Sequence, residues 1–155
     1  MAGKQPKRRQ RGGVDAYGRT ALHNALVPLS GDVDLQAVSA LLQGGADPNA
    51  QDDNGYSPLH FAAQESLPEA ARLLVDAGGN PNLQDSSGNT PLFRAVISGH
   101  SIEVVRILLD AGADPFLQNS YERSAAAVAF ESTAGDPKIA EYIRQAAELF
   151  RSIQR

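Results

Sequence analysis

The sequence predicts a mainly α-helical stack of short repeats, because two blocks of residues recur in step along the chain. The first block, Asp15-Ala-Tyr-Gly-Arg-Thr-Ala-Leu-His23, returns in altered form at 52–60 and 85–93, and faintly at 119–127. Equivalent hydroxyl residues in these blocks lie 37, 33 and 34 residues apart, at Thr20, Ser57, Thr90 and Ser124. Units of this length cannot bury an apolar face alone, so they stack on their neighbours.

The second block predicts where each unit ends. Leu41-Leu-Gln-Gly-Gly-Ala-Asp-Pro-Asn49 returns at 74–82 and 108–116. It follows an apolar stripe with helical spacing, such as that of residues 104–109. Its glycines, Gly45, Gly78 and Gly112, are predicted to end the second helix of each unit with a positive φ.

The first helix of each unit has its own start signal. The four hydroxyl residues are predicted to be N-caps that accept hydrogen bonds from the first helical turn. Pro58 and Pro91 follow two of them, at the position where a helix tolerates proline best. Asp15, Asp52 and Asp85 each precede a glycine by three residues, which is typical of tight turns.

These residues resemble the ankyrin repeat, with its turn, its Thr-Pro-Leu-His-like helix start and its Leu-Leu-x-x-Gly-Ala-Asp-like helix end. The resemblance runs from about Asp15 to Asp114 and weakens from Asn119 onwards. It implies a solenoid of helix-turn-helix units with β-hairpin-like tips. We expect a basic tail at 1–14 and a repeat domain at 15–155, divided into repeats at 15–51, 52–84 and 85–118 and a degenerate capping repeat at 119–155.

Two departures from the repeat pattern stand out. Four extra residues within Val27–Asp34 predict a long loop between the helices of the first repeat. In the fourth repeat Glu122 replaces the turn glycine, and Ile139–Phe150 predicts an amphipathic helix. This helix is predicted to cap the stack. We expect a monomer, but the sequence leaves open whether the fourth repeat caps the stack or mediates dimerisation.

Composition and charge narrow the classes of function. The 155 residues include no cysteine, which excludes disulfides and thiolate metal sites, and no apolar run approaches the ~20 residues of a membrane span. Residues 1–12 carry five basic side chains, which leaves nine basic residues against 18 acidic ones in the body, a charge near −9. Such a body disfavours nucleic acid and favours a basic protein partner. We expect a cytoplasmic protein, or a nuclear one if it is eukaryotic.

The basic segment 7–11 has four interpretations. It is a solvated, disordered tail, a nuclear localisation signal, a patch for an anionic partner, or a segment that contacts the acidic body of its own chain.

The histidines and carboxylates, which are the residues that could act in catalysis, are predicted to have structural roles. His23 and His60 occupy equivalent positions, where the resemblance implies hydrogen bonds between adjacent turns, and His100 stands at the expected start of a second helix. The spacing of the carboxylates follows the repeat, and the chain has no phosphate-binding loop or nucleophile elbow. We therefore predict no enzyme and no cofactor, with a hydrolase or metalloenzyme as a remote alternative.

In ankyrin arrays the tips and first helices line a concave binding face, and the resemblance implies the same here. Tyrosine and arginine near the tips favour a protein interface, although turn tyrosines also pack on neighbouring loops. Arg94 is predicted either to join this surface or to pair with Glu65, and the loop at 27–34 is a second candidate surface. The predicted contact residues are Tyr17, Arg19, Asp53, Asn54, Tyr56, Gln64, Glu65, Ser86, Ser87, Asn89, Arg94, Ile97, Tyr121 and Arg123.

The favoured hypothesis is a non-catalytic module that binds a basic partner protein. Its repeats look similar to those of small bacterial ankyrin proteins, some of which are immunity proteins that neutralise a toxin. The alternative is a eukaryotic-type adaptor or inhibitor whose basic tail directs it to the nucleus.

Overall fold

The computed structural model describes residues 13–28, 31–131 and 136–153, so residues 1–12 of the tail predicted at 1–14 lie outside the described residues. The described chain forms eight α-helices in four consecutive pairs. Their bounds are α1 Ala21–Ala25, α2 Leu35–Gln43, α3 Pro58–Gln64, α4 Pro68–Asp76, α5 Pro91–Ser98, α6 Ile102–Asp110, α7 Ala125–Glu131 and α8 Pro137–Ile153. The helical repeat array predicted from the sequence is therefore confirmed.

The helices stack in two layers. The first helices of the pairs, α1, α3, α5 and α7, contact one another in chain order, and so do the second helices, α2, α4, α6 and α8. Leu59 and Ala62 of α3 are fully buried, and Leu92 of α5 is buried beside them. Small and medium side chains therefore let successive first helices approach closely.

Side-chain amides join the return loops that follow the second helices. Asn49 Nδ2 donates to the carbonyl of Gly78 at 3.0 Å, and Asn82 Nδ2 donates to the carbonyl of Gly112 at 3.0 Å. The next equivalent position is Phe116, whose ring lies 6.4 Å from that of Phe150 in α8. The polar connection between loops thus gives way to an apolar contact where α8 packs, which suits a capping repeat.

The last helix is longer than the sequence predicts, since α8 runs from Pro137 to Ile153 rather than from 139 to 150. Its buried side chains, Ile139, Ile143 and Ala147, recur with helical spacing. The described turns contain isolated bridges, Val14 with Thr20 and Gln118 with Ser124, in place of extended strands.

Candidate protein-binding surface

An aspartate or asparagine side chain closes each turn tip from within. Asp52 Oδ1 accepts hydrogen bonds from the amides of Asn54 and Tyr56, both at 2.9 Å. Asp15, Asp85 and Asn119 close the other three turns in the same way. In the fourth turn Glu122 takes the left-handed conformation that glycine has in the others, with φ of 58°.

Backbone hydrogen bonds then link each tip to the next. The amide of Asp53 donates to the carbonyl of Tyr17, and the amide of Ser86 donates to the carbonyl of Asn54, both at 2.9 Å. The amide of Ser120 donates to the carbonyl of Ser87 at 2.9 Å. The four tips therefore form one continuous row. We call this row, together with the adjoining first helices, the tip surface.

Two buried histidines connect the tips to the helices beneath them. His60 Nδ1 accepts a hydrogen bond from the amide of Ser57 at 3.0 Å, and its Nε2 lies 2.8 Å from the carbonyl of Asn89 in the next repeat. His23 makes the equivalent contacts with Thr20 and with the carbonyl of Tyr56. The predicted hydrogen bonds between adjacent turns are confirmed.

The histidines also change how their helices begin. The hydroxyls of Thr20 and Ser57 lie 2.9 and 2.8 Å from the histidine Nδ1 atoms. Phe93 replaces histidine in the third repeat, and there Thr90 Oγ1 accepts the amide of Phe93 at 3.2 Å. The predicted N-cap hydrogen bond, from a backbone amide to the hydroxyl, is thus present at Thr90 and Ser124. At Thr20 and Ser57 the hydroxyl also lies beside the Nδ1 atom of a histidine.

Aromatic rings and guanidinium groups alternate beneath the tips. The Arg19 guanidinium lies 5.4 Å from the ring centre of Tyr17 and 5.1 Å from that of Phe61. Phe61 meets Tyr56 edge-on at 5.8 Å, and Arg94 lies 4.8 Å from the Tyr56 ring on the way to the third repeat. These cation–π and aromatic contacts connect side chains of the first three repeats.

The arginines of this surface are held by carboxylates. Arg94 Nη2 lies 2.6 Å from Asp85 Oδ2, so its carboxylate partner is Asp85 and not Glu65, the partner that one of the two interpretations of Arg94 gave it. The turn places Asp85 beneath the first helix, and its side chain is fully buried. Burial alone would raise the pKa of Asp85, but hydrogen bonds from Arg94 and Asn89 outweigh it and hold the pKa below its usual value.

The other two arginines are also paired. Arg19 Nε lies 3.8 Å from Asp52 Oδ2, whose side chain is fully buried. Arg123 Nη2 lies 2.6 Å from Glu131 Oε2, and both of these side chains are exposed. The positive charge of the tip surface is therefore largely compensated within the protein itself.

Asn89 differs from the expectation for a contact residue, because it is 8 % exposed. Its Nδ2 lies 3.2 Å from Asp85 Oδ2, and its Oδ1 accepts from Asn119 Nδ2 at 2.8 Å. Asn89 thus joins the turns of the third and fourth repeats and offers little to a partner. Tyr56 is also less exposed than expected for a contact residue: it is half-buried, and its ring stacks on His60.

The remaining predicted contact residues lie at the surface. Tyr17, Tyr121 and Ile97 are the large exposed ones, with 62 %, 75 % and 58 % of their surface accessible. Arg19 and Ser87 are half-buried. The exposed polar residues are Asp53, Asn54, Gln64, Glu65, Ser86 and Arg123.

Sequence reasoning missed Phe61, Asp52 and Asp85 as parts of this surface. Phe61 reads as an ordinary core residue of a first helix, and both aspartates read as turn residues. The sequence did contain a signal. Arg19, one residue before Thr20, and Arg94, four residues after Thr90, both lie near a turn aspartate along the chain. Three-dimensional stacking decides which aspartate each arginine meets.

Two other kinds of site find no support in the described structure. Within residues 13–28, 31–131 and 136–153, no three histidine or carboxylate side chains lie close enough together to hold a metal ion. The helices in the same ranges also lack the combination of length and apolar character that crossing a membrane requires.

Comparison with known families assigns this architecture. Residues 26–119, more than half of the chain, match the family described as "Ankyrin repeats (3 copies)". The chain therefore belongs to the ankyrin-repeat family, whose repeats are protein–protein interaction modules.

Two curated relatives match part of the chain. They are protein phosphatase 1 regulatory subunit 27 of Mus musculus and its counterpart of Homo sapiens, each 39 % identical over 61 residues. The match covers 39 % of this chain and 37 % of the length of either relative. It therefore spans little more than a third of those proteins and supports a binding role in general terms.

Proposed function

We propose that this protein is a non-catalytic binding module that holds a basic partner protein against its tip surface. The observation that carries the proposal is the exposure of Tyr17 and Tyr121, 62 % and 75 %, at the two ends of a row fixed by backbone hydrogen bonds. Rigid aromatic side chains give large contact area at a small entropic cost, which is why tyrosine is enriched at binding hot spots. Ile97, near the end of α5 in the third repeat, adds an exposed apolar side chain.

Charge supports a basic partner. The described residues carry 18 acidic side chains and eight basic ones. Arg19, Arg94 and Arg123 of the tip surface each have a carboxylate partner, whereas Glu65 and Glu122 add exposed negative charge near the tips. A field of this sign accelerates encounter with a positively charged protein and weakens as salt is added.

Within this class, one specific role is neutralisation of a toxin. Nuclease toxins are basic, and an acidic inhibitor gains association rate from complementary charge. The role predicts that a basic toxin domain is among the bound partners and that co-production of this protein protects cells from it. Binding to a neutral or acidic partner would contradict this role.

A second candidate is an adaptor or inhibitor of the regulatory-subunit type, and the 39 % identity to the phosphatase regulatory subunits favours it. This candidate predicts a measurable complex with protein phosphatase 1 in a calorimetric titration. A nuclear role for the basic segment would require residues 1–12 for localisation, whereas toxin neutralisation would not.

The test compares partners captured by the wild-type protein and by a Tyr17→Ala/Tyr121→Ala variant. Tyr56 stays intact, because its ring supports His60 and Arg94. Leu35→Ala in α2 is the matched control, since Leu35 is an exposed apolar residue of the second layer. We expect a basic protein bound by the wild type and the control, and bound at least about tenfold more weakly by the double variant. Equal binding by all three would overturn the proposed site.

A further inference from the structure

The tip of the second repeat differs from the others in the residue that precedes its left-handed turn position. Asn54 stands there before Gly55, whereas the other tips have Tyr17, Ser87 and Tyr121. Asparagine is a thermolabile residue. It is most reactive before glycine, because glycine has no Cβ to keep the asparagine side chain away from its backbone nitrogen. The sequence of this tip therefore favours a reaction within its own backbone.

The structure leaves the side chain of Asn54 available for this reaction. It is exposed, and no other described residue shares a hydrogen bond with its side-chain amide. The Gly55 nitrogen, which has to attack it, donates to the carbonyl of Asp52 at 2.9 Å. The attack therefore requires the turn to open, which exposed turns do more readily than packed helices.

The other described asparagines lack this combination. Asn80 precedes proline, whose nitrogen carries no hydrogen. Asn24 lies within α1 and precedes alanine. The other four donate side-chain hydrogen bonds within the array: Asn49, Asn82, Asn89 and Asn119.

We propose that Asn54 is a modification site, at which the side-chain amide is converted into a carboxylate by spontaneous deamidation. The Gly55 nitrogen bonds to Cγ of Asn54, the bond from Cγ to Nδ2 breaks, and the side-chain nitrogen leaves as ammonia with the amide proton of Gly55. The product of this step is a succinimide ring. Water then breaks the bond from the ring nitrogen to either carbonyl carbon, adding a hydroxyl to that carbon and a proton to the nitrogen.

The two products change the tip in different ways. Opening of the ring at Cγ gives aspartate, which adds a negative charge beside Asp52 and Asp53 and keeps the normal backbone. Opening at the other carbonyl gives isoaspartate, in which the chain runs through Cγ and the former backbone carbonyl becomes a free carboxylate. In the intact protein that carbonyl of Asn54 accepts the amide of Ser86 at 2.9 Å. Isoaspartate therefore lengthens the turn and breaks the link between the tips of the second and third repeats.

The test follows the full-length folded chain during incubation in mildly alkaline buffer. Tandem mass spectrometry of the tryptic peptide 20–72, which contains Asn24, Asn49 and Asn54, assigns the mass increase to one residue and separates isoaspartate from aspartate. Asn54→Gln is the matched control, because its longer side chain forms the corresponding ring much more slowly. Asn54→Asp copies the aspartate product, so it separates the effect of charge from that of the longer backbone.

We expect Asn54 to deamidate at least about tenfold faster than Asn24 or Asn119, with isoaspartate as the main product. The amide of Ser86 should exchange hydrogen at least about tenfold faster in the isoaspartate form, isolated by ion exchange, than in the Asn54→Asp variant. Equal rates at Asn54 and Asn24, or aspartate as the main product, would overturn the proposed site. Wild-type protection of the Ser86 amide in the isoaspartate form would overturn the proposed break between tips. Since no readout uses a binding partner, failure here is distinguishable from failure of the proposed function.

Discussion

At the scale of single residues, the imidazole of His60 satisfies both of its backbone contacts in one protonation state. The carbonyl of Asn89 requires a hydrogen on Nε2, whereas the amide of Ser57 requires a free lone pair on Nδ1. Burial lowers the pKa of His60 and outweighs the opposite effect of the Asn89 carbonyl. Asp85 and Asp52 favour the charged ring as well, and Arg94 opposes it. The fold therefore holds a neutral histidine.

This protonation state gives stability a pH dependence. A histidine whose pKa is lowered by folding contributes stability above its unfolded pKa of about 6.5, and that contribution is lost as the pH falls towards the folded pKa. We expect the free energy of unfolding of the wild type to fall between about pH 7 and pH 5. His60→Phe, which copies Phe93 of the third repeat, should be about 1 kcal/mol less stable at pH 7 and have a flatter profile. Urea unfolding at several pH values measures both, and parallel profiles would contradict this assignment.

The pair formed by Arg94 and Asp85 is expected to matter more than the exposed pair formed by Arg72 and Glu103. Removing Arg94 leaves the buried carboxylate of Asp85 without its cation, whereas Arg72 and Glu103 are both open to solvent. Arg94→Met should cost about 2 kcal/mol of unfolding free energy, and Arg72→Met less than about 1 kcal/mol. Because the pKa of Asp85 is lowered, its contribution is present above about pH 4 and is lost below that. Equal losses in chemical unfolding would show that burial of Asp85 is unimportant.

At the scale of the elements, the turns and return loops use glycine for different reasons. Gly55 has φ of 76° and Gly112 has φ of 88°, so both take the left-handed conformation. A Cβ at Gly55 would lie 2.8 Å from the amide nitrogen of Ser86 in the next tip, whereas a Cβ at Gly112 would meet nothing within 4 Å. The glycines of the turns thus permit both the backbone conformation and the close approach of successive repeats.

This contrast gives a matched pair of substitutions. Gly112→Ala should cost about 1 kcal/mol of unfolding free energy, which is the penalty of the left-handed conformation alone. Gly55→Ala should cost about 3 kcal/mol, because the new methyl group also pushes the tip of the third repeat away. Thermal and urea unfolding of both variants measure the difference. If the two losses are the same, the tips are less tightly joined than their hydrogen bonds indicate.

The sequence predicted these elements well, because each repeat carries its own turn, cap and helix signals. It identified the first and second helices, the turn aspartates and the structural role of His23 and His60. Sequence reasoning failed where the packing of one repeat on the next determines the contacts of a side chain. Whether Arg94 meets Asp85 or Glu65, and whether Asn89 is exposed, depends on how the third repeat sits on its neighbours. The exposed apolar residues Leu149 and Ile153 of α8 were overlooked because the sequence fits an amphipathic helix with a single apolar face equally well.

At the scale of the whole molecule, the main packing contacts of the described helices lie within a repeat or join it to an adjacent repeat, so stability is expected to be local along the stack. Ile143 in the last helix and Leu74 in α4 are both fully buried. Ile143→Ala and Leu74→Ala should each cost about 2–5 kcal/mol in the repeats that contain them. Hydrogen exchange should show faster opening of α7 and α8 in the first variant, and of α2 to α6 in the second. A uniform increase over the whole chain in both variants would indicate a single cooperative unit instead.

The measurement that tests the central claim most directly is hydrogen exchange on the complex with the captured basic partner. The proposed tip surface predicts that the partner slows exchange at 15–20, 52–57, 85–90 and 119–124, and that the Tyr17→Ala/Tyr121→Ala variant loses this protection. Protection confined to the loop around 27–34 or to α8, with the tips unchanged, would contradict the claim that this ankyrin-repeat protein binds its partner through the row of tips.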